Sequence, residues 1–484
     1  MLEWGRSLLD RVRAGIRATK GSASHKLRSF RQESGNIAMM TALLLAPIIG
    51  ALCMGVEASS WFVMRRAAQN AADSAAVAAA NNAAVYNGTK AQWQAEGKAT
   101  ARRYGFTDGA NNATVTIDTA DVTSEQCPDG ATTKCFKATV TKKVPIYLAA
   151  VVGYRGNTTI GTRRAVLVTS YAYAEPVSGI KYPTCLTVTG TGSSGSGIDT
   201  KGAPFSNMKG CSISAIGPTT NVTCNAGGIG GQPSIFATGT VDTACTTGNI
   251  LSNGPSTAYV DPYKDYYKKI PCGINSGDAT ANCDSAATAP TCAPFTGTLT
   301  LGSCYTGNIN YPDPGGGTKF QTVSLTGPST GGVVYVKNGS VNLNYLKLVT
   351  TDVTFVFTGT TPGGFTDGSK DGSLDLNAPG SGTWSGVAAY QDTHLASSTW
   401  LAPSLANNGN TPKLDLIGLL YLPRTDADFG GGAGQTTKAT TCYIAVLHSF
   451  QVNGTALSMT RSGCTAEGLG VLPTVTILRA ALVK

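Results

Sequence analysis

"IAMMTALLLAPIIGALCMGV", residues 37–56, decides what kind of protein this chain is. The stretch holds no charged side chain. At 1.5 Å per residue, a helix of this length reaches about 30 Å, the thickness of a bilayer's hydrocarbon core. Pro47 and Gly50 lie inside it, and membrane helices tolerate both. A cleaved export signal has a shorter apolar core, about 7–15 residues, followed by a small-residue cleavage site. The length here, and the helix-forming sequence beyond it, predict an anchor that stays in the membrane.

Charge on the two sides sets the expected orientation. Arg6, Arg11, Arg13, Arg17, Lys20, Lys26, Arg28 and Arg31 precede the segment, against Glu3, Asp10 and Glu33. Only Arg65 and Arg66 follow it closely. The positive-inside bias then puts residues 1–35 in the cytoplasm as a basic tail and everything from Glu57 onward outside. A nucleic-acid-binding arm is the competing reading of that tail. It lacks aromatic interleaving and a folded module, so contact with anionic headgroups accounts for it better.

The remaining composition fits an exported, β-rich product. Charged residues make up 13% of the 484, and most of the net +9 sits in the tail. The rest is nearly neutral and gives no case for a nucleic-acid partner. Of 13 cysteines, Cys53 falls in the apolar segment and the other twelve lie beyond it. An even number on the oxidising side reads as disulfides. Cys127 and Cys135 flank a short turn and are placed to staple a hairpin; Cys442 and Cys464 are expected to tie the last strands. Zinc is the alternative, but no CxxC pair exists and His25, His394 and His448 are far apart.

Downstream of the anchor, "RRAAQNAADSAAVAAANNAA" (65–84) continues the helix as a stem to about Ala84. Ala68, Ala72, Ala75, Ala79 and Ala83 recur at three-and-four spacing and form one small-sided face. Such a face lets a second helix approach closely. Two readings stand: a docking rail for a partner helix, or a helix lying on its own domain. A short helix from Lys90 to Tyr104 follows, with Thr89 as N-cap and Gly105 as stop. Strand-like runs at 113–119, 137–148 and 163–174 complete a pilin-like α+β unit over 85–174.

From 175 to 484, short apolar pieces such as "CLTVTG", "GVVYVKNGSVNLNYL" and "CYIAVLHSFQVNG" alternate with Gly-, Ser-, Thr- and Asn-rich loops. The pattern predicts a mainly β body. A parallel β-helix or solenoid is favoured over a β-sandwich, although no fixed repeat length is visible. The stretch 226–334, poorest in apolar runs, is expected to hold long loops clipped by Cys245, Cys272, Cys283, Cys292 and Cys304.

"FRQESGNIAMMTALLLAPIIGALCMGVEASSWFVMRRAAQNAADSAAVAAA", residues 30–80, resembles the N-terminal domain of TadG-like proteins of the bacterial Flp (tight adherence) pilus-assembly system. The resemblance rests on Phe30, Gly35-Asn36, Pro47, an acidic residue at the outer edge of the helix, and the Ala-rich run at 71–80. Glu57 stands where that family usually has aspartate. Met40, five residues after Gly35, stands where true prepilins carry glutamate. No D-x-S-x-S motif of a von Willebrand A domain is present. The resemblance implies a single-pass inner-membrane protein with a large periplasmic domain, acting as a non-catalytic structural component of pilus assembly. Its implied partners are the lipid bilayer and pseudopilin-like or other Tad pilus-assembly proteins, or a second copy of the chain, with no cofactor.

Other candidate sites each have a plainer reading. "DGSKDGSLD" places Asp367, Ser369, Asp371, Ser373 and Asp375 two apart around Gly372, as a Ca²⁺ loop does, but position twelve is Ala378 instead of glutamate. A solvated turn is the alternative. Glu57 either pairs with a cation of a partner helix or marks where the helix meets water, and Arg65 and Arg66 read as headgroup contacts. "DPYKDYYKKI" (261–270) is a carbohydrate- or anion-binding patch, or a segment covering an end or flank of the β body. Asp352, Asp375, Asp392, Asp415, Asp426 and Asp428 are the carboxylates a glycan-active enzyme would need, but sequence does not show that any two converge. A surface adhesin or polysaccharide-binding solenoid on an unrelated anchor is the remaining class.

Overall fold

The computed structural model describes residues 34–85, 88–120, 135–151, 153–201, 208, 210–224, 229, 234–245, 249–274, 283–315, 320–366, 372–407, 414–430, 441–453 and 458–483. Contacts divide the chain into two units. One holds the stem helix to Ala79 with Trp93–Glu175; the other holds Pro176–Ala481 with Ala80–Gln92.

Helix α1 (Ser34–Val85) runs unbroken through Pro47. An 18-residue window within it has mean hydropathy 2.2 and buries nothing in the protein, so it is long and apolar enough to cross a membrane. Leu43, Leu44, Ile48, Ile49 and Leu52 are all exposed there. Farther along, the character of α1 reverses: Ala68, Ala71, Ala72, Ala75, Ala76 and Ala79 are fully buried.

Helix α2 (Lys90–Arg103) starts at Thr89, whose backbone N–H and Oγ1 both donate to Gln92 Oε1, at 2.8 and 3.0 Å. It stops at Gly105, whose φ of +89° allows the Phe106 N–H to reach the Ala101 carbonyl at 3.1 Å. Four antiparallel strands follow in the spatial order β1-β2-β4-β3: β1 (Ala113–Ala120), β2 (Cys135–Pro145), β3 (Thr158–Ile160) and β4 (Arg163–Val188). Alternate residues Val115, Ile117, Ala138, Val140, Ala172 and Ala174 are buried, as period-two patterning requires. Both helices meet this sheet. Gln94 Nε2 donates to the Ile117 carbonyl and Gln69 Nε2 to the Tyr171 carbonyl, while Trp93 packs edge-on against Phe136.

The second unit is a large, mainly parallel β body. Its longest ladder stacks Cys292–Pro294, Cys304–Thr306, Gly332–Lys337, Val353–Thr358, Val387–Gln391, the middle of Leu414–Gly430, Tyr443–Asn453, the end of β4, Ser212–Ala215, Ser234–Ala237 and Asn249–Leu251. One register column reads Val334, Phe355, Ala389, Leu420, Ala445, Leu186, Ile213, Ile235 and Ile250. All are buried except Ile250 on the terminal rung. Two shorter parallel ladders run through Gln321–Thr326, Leu346–Thr351, Ser373–Asn377 and Leu414–Ile417, and through Ala402–Asn407, 425–430, 449–453, Ile198–Lys201 and Val222–Cys224.

Rung order is not chain order. The body's first rung, at 186, sits between the last strand of the parallel ladder, at 445, and its second rung, at 213. From the rung at 250 the chain therefore has to return along the ladder to begin again at 292. Residues 259–274 make that return, lying over the opposite column of side chains: Tyr335, Tyr390, Tyr421 and Thr187.

Disulfides join neighbouring rungs. Cys292 and Cys304 are register partners, and Cys185–Cys211 flanks the Thr184–Ser212 pair. Cys224–Cys245 sits beside the Val222–Val241 bridge. Cys272–Cys283 closes a short loop, and Cys442–Cys464 forms as its spacing predicts. Cys135 is disulfide-bonded, whereas Cys127 lies outside the described residues.

Candidate functional site

The first turn of α1 beyond its apolar stretch carries the most built-up polar arrangement of the first unit. Glu57 is 6% exposed. Its carboxylate accepts three consecutive backbone N–H groups, from Tyr147 at 2.6 Å, Leu148 at 3.0 Å and Ala149 at 2.5 Å. Those groups open a tight turn in which the Val151 N–H reaches the Leu148 carbonyl and the Tyr154 N–H reaches the Ala149 carbonyl, with Gly153 at φ +87°. A carboxylate at the amino end of such a turn satisfies donors that would otherwise have no partner. One helical turn on, Trp61 packs against Tyr154 with ring centroids 5.4 Å apart.

Around this clamp the surface is apolar and basic. Tyr147, Leu148, Val151 and Tyr154 are exposed, as are Phe62 and Val63 on α1. Arg66 lies over the Phe62 ring at 5.1 Å, and both Arg65 and Arg66 face outward. Trp61, Phe62 and Arg65 face Val166, Leu167, Val168 and Thr169 across an open groove of about 450 Å³. Of the two roles expected for Glu57, pairing with a cation of a partner helix is not what the carboxylate does here: its acceptor capacity goes to the chain's own backbone.

The alanine face is placed equally firmly. Ala68, Ala72, Ala75 and Ala79 are covered by the chain itself, and Ala83 is half-buried. A Cβ added at Gly97 of α2 would lie 3.2 Å from the Ala75 carbonyl and 3.0 Å from Ile117, a measure of how closely the two helices approach. The small side chains thus serve close packing within the domain, and the expected rail for a partner helix is not open.

The tyrosine-rich segment 261–270 packs its aromatic residues inward, while Lys264, Asp265 and Lys268 are exposed. Tyr263 is 1% exposed and packs on Tyr266 and Tyr421. Tyr421 Oη donates to Asp261 Oδ2 at 2.8 Å, and Lys269 Nζ sits 3.3 Å from the Tyr266 ring centroid while donating to the Thr383 carbonyl. Burial raises the Asp261 carboxyl and lowers the Lys269 ammonium. Tyr267 stacks on His394 at 4.2 Å. These groups pack the return segment against the ladder, as the covering role expected of it requires.

Of the calcium candidates, Asp367, Ser369 and Asp371 lie outside the described residues. Ser373 and Asp375 belong to a ladder strand, where Asp375 is in register with Asp415. Among the described residues no three metal-binding side chains converge. Asp392 is buried, accepting from Thr358 Oγ1 and the His394 N–H. Asp426 accepts from Ser449 Oγ and meets His448 Nδ1 at 2.7 Å. Burial pushes Asp426 up, but these two partners outweigh it and hold the carboxyl below its ordinary range. Asp352 occupies a turn at φ +56°. Asp428 is raised by burial and by Asp199, two rungs away across Gln451.

Sequence alone assigns no role to the turn at 147–149. Its signal is "VPIYLAAVVGY", residues 144–154, an uncharged run that loses strand alternation after Pro145. Compared with known families, residues 35–82 match the family model described as Flp pilus-assembly TadE/G-like. No curated protein and no solved structure matches the chain.

Proposed function

We propose that this chain, which carries a TadE/G-like domain at residues 35–82, is a non-catalytic structural component of Flp pilus assembly. In this reading α1 anchors it once in the bacterial inner membrane, with the basic tail in the cytoplasm and the β body in the periplasm as a solenoid-like domain. The observation that carries the proposal is the coincidence of the family match with a helix whose apolar half is uncovered and whose alanine half is packed. The disulfides support an oxidising compartment, and the parallel ladders support coil stacking.

Partners would be pseudopilin-like or other Tad proteins, or a second copy. Because the alanine face is covered, the stem surface left for them is the strip around Phe62, Val63 and the groove to Leu167. The test is deletion followed by complementation. Pili should be lost on deletion, return with the full chain, and fail to return with residues 176–484 exported on their own. Normal piliation after deletion would refute the proposal. Binding of the exported body to a polysaccharide, with piliation intact, would favour an adhesin instead.

A further inference from the structure

We infer that the turn at residues 146–154 is a second membrane contact, a wedge that enters the headgroup layer of the bilayer crossed by α1. The inference rests on the anchored reading above. Glu57 directly follows Val56, the last residue of the uncharged stretch. Headgroups add about 5–7 Å to each side of the hydrocarbon core, close to the 5.4 Å rise of one helical turn. Glu57 and Trp61 bound that turn, and they are the two residues that hold the 146–154 segment. The segment is thereby fixed at headgroup level.

Its chemistry suits that layer. Tyr147 is 62% exposed and Val151 84%, with Leu148 and Tyr154 exposed beside them. Aromatic side chains with a polar tip collect at this depth. Backbone polarity, the usual obstacle to burying a loop in lipid, is largely met. The N–H groups of 147–149 donate to Glu57, and those of 151, 153 and 154 donate to carbonyls of the same turn. Arg155, Arg163 and Arg164 are exposed at the same end of the sheet, with Lys143 donating to the Thr159 carbonyl beside them. An uncharged tip ringed by cations fits an anionic lipid surface.

The experiment uses the full chain in lipid nanodiscs containing anionic lipid, with Cys53 replaced by alanine and a nitroxide attached at one position at a time. The positions are Val151→Cys, Leu44→Cys in the apolar half of α1, and Asp118→Cys at the far end of β1. Accessibility to oxygen and to a water-soluble nickel chelate reports depth. The expected result is oxygen-favoured accessibility at 44 and 151 and chelate-favoured accessibility at 118, differing severalfold. If 44 is in lipid but 151 matches 118, the wedge is refuted and the anchor stands. If 44 is also in water, both readings fall. Val151→Asp, which changes an exposed side chain and leaves the clamp intact, should move a label at Leu148→Cys toward the chelate; no movement counts against the wedge.

Discussion

The Glu57 carboxylate and the Ala149 backbone nitrogen, 92 residues apart, meet at 2.5 Å. A helix end and a distant turn are thereby fastened by one side chain, through charge-assisted bonds of the stronger class. Glu57→Ala leaves three donors without that acceptor. Loss of even one such bond costs about 1.5–3 kcal/mol, so opening of the turn should rise by one to two orders of magnitude. Limited trypsin digestion at Arg155 of the detergent-solubilised chain measures this. An unchanged cleavage rate would show that the clamp does not hold the turn.

The covered alanine face makes a prediction opposite to that of an open rail. Ala72→Leu forces a larger side chain into a fully buried position, which overpacking data put at about 1–3 kcal/mol of lost stability. Asn70→Leu, on the exposed side, should stay within about 0.5 kcal/mol of the parent. Urea titration of the solubilised chain separates them. Equal midpoints would mean that the face is open.

Acid should weaken the β body through Asp426. Its carboxyl is held below the ordinary value of 3.8 by His448 and Ser449 despite burial. Native protein therefore binds fewer protons here than unfolded chain. The stability it supplies is present above pH 3.8 and is lost as pH falls through the lower native value. Asp426→Asn should remove about 1 kcal/mol near neutral pH, a modest figure for a partly exposed group. It should also flatten the acid limb of a stability–pH curve; an unchanged acid limb would remove Asp426 from the account.

Rung-to-rung disulfides should matter more than their distance from any site implies. Cys185–Cys211 closes a loop with sequence separation 26, for which chain-entropy reasoning gives about 3.5 kcal/mol. The double change to alanine should lower the unfolding free energy of oxidised protein by about that amount, with the denaturation midpoint falling accordingly. A midpoint that does not move would place the constraint elsewhere in the ladder.

Local rules were legible in the sequence. The uncharged stretch, the Thr89 cap, the Gly105 stop and three of the four strands of the α+β unit follow from nearest-neighbour chemistry; the three-residue strand Thr158–Ile160 does not. So did the pairing of Cys442 with Cys464, and a β body of short strands. What could not be read was which distant surfaces meet. Alanine spacing says that a face is small and leaves open what lies against it. Glu57 reads from sequence as a water-edge charge because its donors are backbone N–H groups, which every sequence has and none advertises. Tyr263 and Tyr266 resembled a binding patch because aromatic residues beside lysine suit either a ligand or a return segment lying over Tyr390 and Tyr421. Rung order was hidden for the same reason, since parallel ladders join strands without regard to their place in the chain.

That order bears on how the protein is made. A polypeptide made from its N-terminus delivers residues 184–188 well before 443–453, yet these two sit side by side. Until the final segment emerges, the early piece offers a bare flank to the compartment, open to mispairing or to a chaperone's hold. Biogenesis is therefore concluded at the centre of the stack, and a chain cut short near residue 440 would be left with two halves that never join.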